Sequence, residues 1–504
     1  MKWNEGMMCV IKKNAFFYLL MALGFIATFG LSLGFLSSES IWPDEALYAT
    51  QARKLAEDPS CLFSPELLEY HPPLFPILLM PGVLAQDDLI GFRIVTNFIS
   101  MLGLVAAFSL GRRVQGHFLG AFCFLGLAFN YIYLSQAGRI LIDNALSVFL
   151  MIFMWAWLSL KETNRPVFKV GLALSAAGLI LLKSSGILII PFLFVLMMWE
   201  GRGGRIPTLF RQMRGVLAVV LMTAGLTLGW RYLVSGSIFF NLSALRGLHN
   251  VEPWWYFVVY LPSLFNPSFL VWIFLLGAMA ILWKGDDRSR SILIWFLFML
   301  TAISLPPEKN LRYSALFLPA LFLISGKGLL FIREQVFRRR GNPKTTETVI
   351  LILVLLVFML DFPKIQMYLI DRETTFIGFP EAGQWINNHV EDDLLVMSGS
   401  KRIMDFFSGK ALKRHGKDLV ELPDSPSVFA EMVRAHRGPC VVEIDFWQNV
   451  KKKHWLLRTR PSPEAYLDGM GFQLAKVVVR RFPQLGRPEP KPLIWLFYRP
   501  ALDQ

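Results

Sequence analysis

Two adjacent carboxylates, Asp44 and Glu45, directly follow Pro43, a short distance after the first long apolar run of the chain. A carboxylate held in place can act as a general base and take the proton from an attacking hydroxyl. A plainer explanation also fits, because a proline with acids beside it favours the first turn of a helix. For Glu45 alone, the helix cap and a catalytic role explain the sequence about equally well. We take Asp44 and Glu45 together as the candidate catalytic pair.

His71 stands directly before Pro72 and Pro73. A residue that precedes a proline is pushed into extended backbone, which holds its side chain in one direction. The pattern therefore makes His71 a candidate for binding substrate, and a plain loop turn is the alternative.

Asp143 follows Arg139 by four positions in the sequence. On a helix, residues at this spacing share a face. The pair predicts either an internal salt bridge or an arginine that faces an anionic ligand while Asp143 orients it. Both residues are candidates for substrate binding.

Further cations lie near the ends of apolar segments. Lys183 stands between two short apolar stretches, and Lys309, Arg312 and Tyr313 lie where one predicted span ends and the next begins. Basic side chains at such boundaries often reach outward to the membrane surface. The predicted outer side is otherwise poor in positive charge, so we also take these four residues as candidates for binding an anionic substrate.

The elements that must position these residues are membrane helices. The chain has 504 residues, of which 54% are hydrophobic and 17% are charged. A soluble globular protein carries about 25% charged residues, so most of this chain cannot form soluble domains. With only four cysteines, the composition also excludes a disulfide scaffold. The sequence predicts a polytopic α-helical membrane protein.

Apolar runs predict about eleven membrane-spanning helices. The first covers 15–36, and the others cover roughly 92–110, 118–136, 143–160, 167–182, 186–199, 215–234, 264–283, 291–305, 312–330 and 347–363. Alternate loops are rich in Lys and Arg, and all of them fall on the side of the N-terminus. The positive-inside rule then places the N-terminus in the cytoplasm and the C-terminus outside. It also explains the net charge of +14 without a nucleic-acid partner.

The composition changes near residue 364, where short apolar patches begin to alternate with polar stretches. We therefore divide the chain into a transmembrane module over 1–363 and a soluble α/β domain over 364–504 on the outer face. The first outer loop, 37–91, is predicted to carry interfacial helices, because its segment 47–56 is amphipathic.

This layout gathers carboxylates and cations at the outer face of the membrane. A sugar donor carried on polyprenyl phosphate needs such an arrangement: its lipid tail lies in the bilayer, Arg or Lys binds its phosphate, and a carboxylate deprotonates the incoming hydroxyl. The phosphate is the leaving group, so the cations act mainly as its charge increases.

Asp44-Glu45, His71-Pro72-Pro73, Arg139 with Asp143, and Lys309 with Arg312 and Tyr313 resemble the motifs of GT-C membrane glycosyltransferases over roughly residues 10–360. Within this group, the motifs resemble those of protein O-mannosyltransferases and of bacterial lipid A aminoarabinose and galacturonic acid transferases. The resemblance implies a hexosyl- or pentosyltransferase in a bacterial inner membrane, with a periplasmic C-terminal domain. It also implies a direct displacement that inverts the anomeric centre.

The same resemblance implies roles for individual residues. Asp44 is the catalytic base or orients the acceptor, and Glu45 shares that role. His71 contacts the donor phosphate or the acceptor. Arg139, Asp143 and Arg312 border the donor pocket.

Some members of the family bind a divalent metal ion near the first outer loop. Glu69, His71 and His249 are the outward residues that could supply ligands, although no tight spacing marks a site. The aminoarabinose transferases have a Glu directly before their Lys-Pro-Pro, where this chain has Tyr70. We carry Glu69 and His249 forward as the candidate metal ligands.

Other functions compete with this interpretation. A transporter or flippase of lipid-linked sugars would place charges near the midplane on broken helices of repeated halves, and Lys183 is the feature that fits such a break. An oligosaccharyltransferase or glycan polymerase could use a related scaffold. The acceptor is open: protein, lipid A or core sugar, or another glycolipid.

Overall fold

The computed structural model describes most of the 504-residue chain. The described residues are 2–64, 71–85, 87–202, 206–236, 252–265, 267–307, 309–337, 343–360, 362–389, 393–414, 418–447, 454–460, 462–482 and 487–501. The chain forms two compact units. The first comprises Met1–Leu36 and Lys54–Gln366, and the second comprises Ser37–Arg53 and Met367–Gln504.

Helices dominate the described residues. In chain order they are α1 (Lys2–Leu36), α2 (Pro43–Glu57), α3 (Leu74–Leu79), α4 (Asp88–Ala128), α5 (Tyr131–Ala137), α6 (Ile142–Thr163), α7 (Pro166–Leu182), α8 (Ile189–Glu200), α9 (Ile206–Ser235), α10 (Tyr256–Val259), α11 (Leu261–Leu264), α12 (Leu270–Lys284), α13 (Asp287–Ser304), α14 (Leu318–Phe337), α15 (Pro343–Leu360), α16 (Phe362–Glu373), α17 (Phe379–Asn388), α18 (Lys401–Arg414), α19 (Pro426–Ala435) and α20 (Pro463–Asp468). Single 3₁₀ turns are Pro59–Phe63, Met80–Leu84, Ser184–Leu188, Leu311–Leu316 and Trp455–Arg458.

Several of these helices are apolar enough to cross a membrane. Within the described ranges, four meet both the length and the hydropathy that a span needs: Ala15–Gly34, Asp88–Ala128, Ile142–Thr163 and Ile206–Leu233. A fifth is added if Thr345–Leu360 and Phe362–Glu373, bent by 44°, form one span. Shorter apolar helices also occur, including Pro166–Leu182 and Leu270–Lys284. The helices indicate an integral membrane protein, but the predicted count of about eleven spans is not confirmed.

The long helix α4 contains the predicted span 92–110 and the first part of the predicted span 118–136. Its backbone leaves helical geometry at Gln115 and at Gly116, where φ is +85°. An added Cβ on Gly111 would lie 2.7 Å from the Cα of Gly120, so the two arms fold back closely on each other. A residue with a side chain is strained at such a φ, which explains why a glycine makes this turn.

The second arm of α4 ends earlier than the sequence predicts. The helix stops at Ala128, and the Asn130 side chain accepts hydrogen bonds from the N–H groups of Ile132 and Tyr133 at 3.0 and 3.2 Å. Asn130 therefore caps a new helix, α5, which ends at Ala137. The predicted span 118–136 is thus two helices with a break.

The second unit contains a five-stranded mixed sheet with the strand order β2-β1-β3-β5-β4. Its strands are β1 (Leu395–Ser398), β2 (Asp418–Glu421), β3 (Cys440–Asp445), β4 (Gln473–Phe482) and β5 (Arg487–Arg499). β1 pairs in parallel with β2 and β3, and β5 pairs antiparallel with β3 and β4. The sheet has crossover connections on both sides of β1, so its parallel part is an α/β arrangement.

Two buried acids, Glu443 and Asp445, lie at the carboxyl end of β3 beside Ser398 and Ser400. Burial and the neighbouring Asp445 raise the pKa of Glu443 to about 8. Folding therefore favours the protonated form of Glu443. The contribution of protonated Glu443 to the free energy of unfolding is fully present below the ordinary pKa of a glutamate. It is lost as the pH rises through the pKa that Glu443 has in the folded protein.

We expect Glu443→Gln to reduce the pH dependence of stability. Between pH 6 and pH 8 the wild-type protein should lose at least about 1 kcal/mol more than the variant, because the glutamine carries no proton to release. Thermal unfolding in buffered detergent over this range measures the difference. Parallel curves for the two proteins would show that Glu443 does not titrate there.

Candidate functional site

A buried group of charges lies in the first unit. Asp143 is 3% exposed, and its carboxylate lies between two cations. Its Oδ1 is 3.6 Å from Nζ of Lys183, and its Oδ2 is 3.5 Å from Nε of Arg312. We call these three residues the Asp143 cluster. It has one more positive than negative charge, so it offers cationic groups to an anion while Asp143 offsets part of their repulsion.

Local structure explains how the three side chains are presented. Asp143 lies in the first turn of α6, where the helix dipole stabilises a negative charge. Lys183 has an extended backbone between the end of α7 and the 3₁₀ turn Ser184–Leu188. Arg312 lies in the 3₁₀ turn Leu311–Leu316, and its backbone N–H donates to the side-chain oxygen of Asn310, which caps the turn. Both cations therefore come from turns at helix ends.

An aromatic ring lies close to both cations. The Tyr313 ring centroid is 5.0 Å from Nζ of Lys183 and 5.5 Å from Cζ of Arg312. Cations at this distance from a ring are attracted to its electron-rich face. Tyr313 therefore helps to hold both basic side chains in place.

Two supporting residues were not predicted as site residues. Arg231 of α9 donates a hydrogen bond to Ser184 Oγ at 3.0 Å, directly beside Lys183. Gln136 of α5 donates to the backbone oxygen of Arg312 at 3.5 Å. The sequence holds no local signal for either contact, because each joins segments that are far apart in the chain.

Arg139 is 2% exposed and lies in the bend between α5 and α6. The backbone N–H of Arg139 donates to the backbone carbonyl of Gln136 at 3.3 Å. The argument that Arg139 and Asp143 share a helix face is therefore wrong, because α6 begins only at Ile142. The break follows Gly138, which ends α5.

Lys309 is 8% exposed, and its ammonium donates to the carbonyl oxygens of Glu252 and Pro306, both at 2.8 Å. These bonds fasten the chain before α10 to the loop after α13. These bonds give Lys309 a structural role that does not depend on substrate. Its role in binding substrate stays a prediction.

The predicted metal ligands Glu69 and His249 lie outside the described residues. His71 is described and is half-buried before α3. In the part of the chain that the structure describes, no three His, Cys, Asp or Glu side chains gather as a metal site would need.

Ion pairs of the same kind lie at the opposite end of α6. Glu162 in the last turn pairs with Arg113 at 2.5 Å and with Arg288 at 2.6 Å. A helix of 22 residues is about 33 Å long, close to the thickness of the hydrocarbon core of a bilayer. Asp143 and Glu162 therefore lie a membrane's thickness apart along one apolar helix.

The acidic pair of the first outer loop belongs to the second unit. Glu45 is fully buried, and its Oε2 accepts the N–H of Trp42 at 2.9 Å. Because α2 begins at Pro43, Glu45 occupies the third helical position and caps the helix start. This contact favours the helix cap over chemistry for Glu45. Asp44 is different: its side chain is 36% exposed, and its Oδ1 lies 3.9 Å from Nη1 of Arg402 in α18.

No protein-family model matches the chain, and no curated protein matches it in sequence. Solved structures do match. ArnT from Cupriavidus metallidurans in the apo state has a TM-score of 0.63 at 15% identity, over 98% of this chain and 100% of that chain. ArnT bound to undecaprenyl phosphate has a TM-score of 0.58 at 15% identity, over 96% and 98% of the two chains.

A third solved structure is the archaeal oligosaccharyltransferase AglB from Archaeoglobus fulgidus, in complex with an inhibitory peptide and a dolichol-phosphate. It matches with a TM-score of 0.60 at 12% identity, over 96% of this chain and 74% of that chain. ArnT and AglB share the GT-C fold of membrane glycosyltransferases. The likeness extends over nearly the whole of this chain and confirms the GT-C fold that the sequence motifs predict.

Proposed function

We propose that this GT-C protein is an integral membrane glycosyltransferase that moves a hexose or pentose from a polyprenyl-phosphate donor to an acceptor hydroxyl on the outer face of the membrane. The observation that carries the proposal is the Asp143 cluster, in which Lys183 and Arg312 converge at one end of an apolar helix. The fold supports it, because the solved neighbours include complexes with undecaprenyl phosphate and with dolichol-phosphate.

The cluster suits a phosphate that becomes a leaving group. Lys183 and Arg312 would bind the phosphate oxygens of the donor through charge-assisted hydrogen bonds. As the bond between the sugar carbon and the phosphate oxygen breaks, negative charge grows on that oxygen. Fixed cations that already face the oxygen lower the barrier, since no reorganisation is needed. Asp143 would keep both cations in position through the ion pairs described above.

The attacking hydroxyl of the acceptor needs a base. We assign it to Asp44, which the family resemblance names first. Glu45, to which the resemblance gives a share in the role, is buried and caps α2. Asp44 would accept the proton of the acceptor hydroxyl while the hydroxyl oxygen attacks the anomeric carbon. The new glycosidic bond forms on the face opposite the departing polyprenyl phosphate, so the configuration inverts. The partly exposed carboxylate of Asp44 is compatible with contact to an acceptor.

The proposed location is a bacterial inner membrane, with the N-terminus in the cytoplasm and residues 364–504 in the periplasm. Support comes from the Lys/Arg-rich loops, one of which supplies Arg113 to the Glu162 ion pairs at the far end of α6 from Asp143. With this orientation the Asp143 cluster lies at the outer face.

An oligosaccharyltransferase is the second candidate, because AglB shares the fold and is seen with a peptide. The lengths favour the first candidate: the match extends over the whole of ArnT but leaves part of AglB uncovered. Transport of lipid-linked sugars without chemistry is the remaining alternative.

The test is turnover by the purified protein in lipid nanodiscs. A panel of polyprenyl-phosphate sugars is offered with hydroxyl acceptors (lipid A, glycolipids, Ser/Thr peptides) and with an Asn-containing peptide. We expect release of polyprenyl phosphate that depends on a hydroxyl acceptor. Transfer to the Asn peptide alone would favour the oligosaccharyltransferase. In proteoliposomes, movement of intact donor across the bilayer without sugar transfer would favour transport.

A further inference from the structure

The short segment that carries Asp44 is attached to the C-terminal part of the chain. In the extended stretch before α2, the Ile41 N–H donates to the carbonyl of Phe376 at 3.3 Å. The hydroxyl of Ser40 donates to the carbonyl of Thr375. Hydrogen bonds to consecutive backbone carbonyls fix the register of one segment on another.

Trp42 makes the most extensive of these contacts. Its indole N–H donates to Thr375 Oγ1 at 3.0 Å, and its ring lies 4.3 Å from the guanidinium carbon of Arg372. Phe376 also lies beside the ring and stacks in turn on Trp447, with centroids 5.4 Å apart. The backbone N–H of Trp42 donates to the Glu45 carboxylate that caps α2. Holding Trp42 in place therefore also holds the first turn of α2.

Helix α18 contacts the same segment at two points. Arg402, at its start, lies 3.9 Å from the carboxylate of Asp44. Further along, Phe406 accepts a hydrogen bond from Arg53 at 3.2 Å through its carbonyl, and its ring lies 4.5 Å from that guanidinium. Asp44 and Arg53 are both in α2, so α18 contacts this helix near its start and again more than two turns later.

The sheet in turn anchors α18 and Trp447. Ser400, directly before α18, donates from its hydroxyl to Oδ2 of Asp445 at 2.9 Å. The other oxygen of Asp445 accepts the Trp447 N–H at 2.7 Å. Asp445 is fully buried at the end of β3. One carboxylate therefore ties the start of α18 and Trp447 to the rigid sheet.

We propose that the C-terminal part of the chain positions the acidic turn: Thr375 and Phe376 hold Trp42, and Arg402 orients the Asp44 carboxylate toward the acceptor. The catalytic relevance rests on the proposed function, in which Asp44 is the base. Arg402 is a positioning residue, because it acts through Asp44. Displacing a reacting group by about 1 Å can cost about 100-fold in rate, so a carboxylate on a partly exposed first turn needs such restraint.

Hydrogen exchange tests the positioning without any activity. Thr375→Val keeps the side-chain shape and removes the acceptor of the Trp42 indole. We expect amides 40–48 to exchange at least about tenfold faster in this variant than in the wild type. Arg434→Gln changes an exposed arginine of α19 in the same unit and should leave these amides unchanged. Unchanged exchange in Thr375→Val would overturn the proposal.

Kinetics tests the part of Arg402. We expect Arg402→Gln to lower kcat about tenfold with the KM for the donor within about twofold, because the base is misdirected while donor binding is untouched. Arg402→Lys should restore most of kcat, and Arg434→Gln should equal the wild type. Equal losses in the Lys and Gln variants, or an unchanged kcat, would reject Arg402 as the positioning residue. A wild-type protein that transfers no sugar, with exchange still faster in Thr375→Val, would reject the proposed function and support the positioning.

Discussion

Arg312→Ala should lower kcat/KM for a polyprenyl-phosphate sugar by about 100-fold, the usual effect of removing a fixed donor that faces developing charge. The lost guanidinium leaves Lys183 as the remaining cation of the Asp143 cluster, and it leaves Asp143 less compensated. Dependence of the rate on donor concentration should change strongly, while dependence on acceptor concentration should change little. Steady-state kinetics with each substrate varied in turn measures both.

A matched variant separates local from general effects. Arg211 is an exposed arginine in α9, and Arg211→Ala removes one positive charge from the same unit. It should retain wild-type kinetics. If Arg312→Ala altered acceptor dependence and left donor dependence unchanged, Arg312 would belong to the acceptor site instead.

Asp44→Asn should abolish transfer, with a loss of about 1000-fold or more. The amide is nearly the same shape as the carboxylate but cannot accept the proton of an attacking hydroxyl at neutral pH. Expression and thermal unfolding should stay close to those of the wild type, because the side chains of Asp44 and of Arg402, with which it pairs, are both 36% exposed. Such surface pairs contribute at most about 1 kcal/mol to folding.

Asp468→Asn is the matched control for this change. Asp468 is an exposed aspartate in α20 of the same unit, and its variant should turn over normally. Near-normal turnover by purified Asp44→Asn would remove Asp44 from the mechanism. Glu45→Gln should instead reduce thermal stability, since Glu45 is buried and caps α2.

Asp143, Lys183 and Arg312 are all recognisable in the sequence, because charges at the ends of apolar segments are rare. Tyr313 is recognisable because it directly follows Arg312. Which of them meet is not recognisable. The spacing of Arg139 and Asp143 suggested a shared helix face, but Gly138 ends one helix before the next begins. The ion pairs of Asp143 that the structure describes are with Lys183 and Arg312, which lie far along the chain. Long-range contacts leave no periodic pattern.

Local sequence patterns also do not predict the boundary between the two units. The loop 37–91 was predicted as one outer segment of the membrane module, but Ser37–Arg53 belongs to the unit of the C-terminal sheet. What joins them is a set of individual bonds from Ser40, Ile41 and Trp42. In contrast, the helix cap at Glu45 follows from Pro43 and the adjacent acids alone, and the structure contains it.

The most direct test of the central claim is a comparison of two ligands that differ only in the phosphate. Binding of polyprenyl phosphate and of the matching polyprenol is measured on the protein in nanodiscs, for the wild type and for Lys183→Met/Arg312→Ala, with thermal unfolding as a check of folding. We predict that the wild type prefers polyprenyl phosphate by at least about tenfold, and that the folded double variant loses this preference. A preference that persists in the folded double variant would contradict the assignment of the Asp143 cluster as the phosphate site.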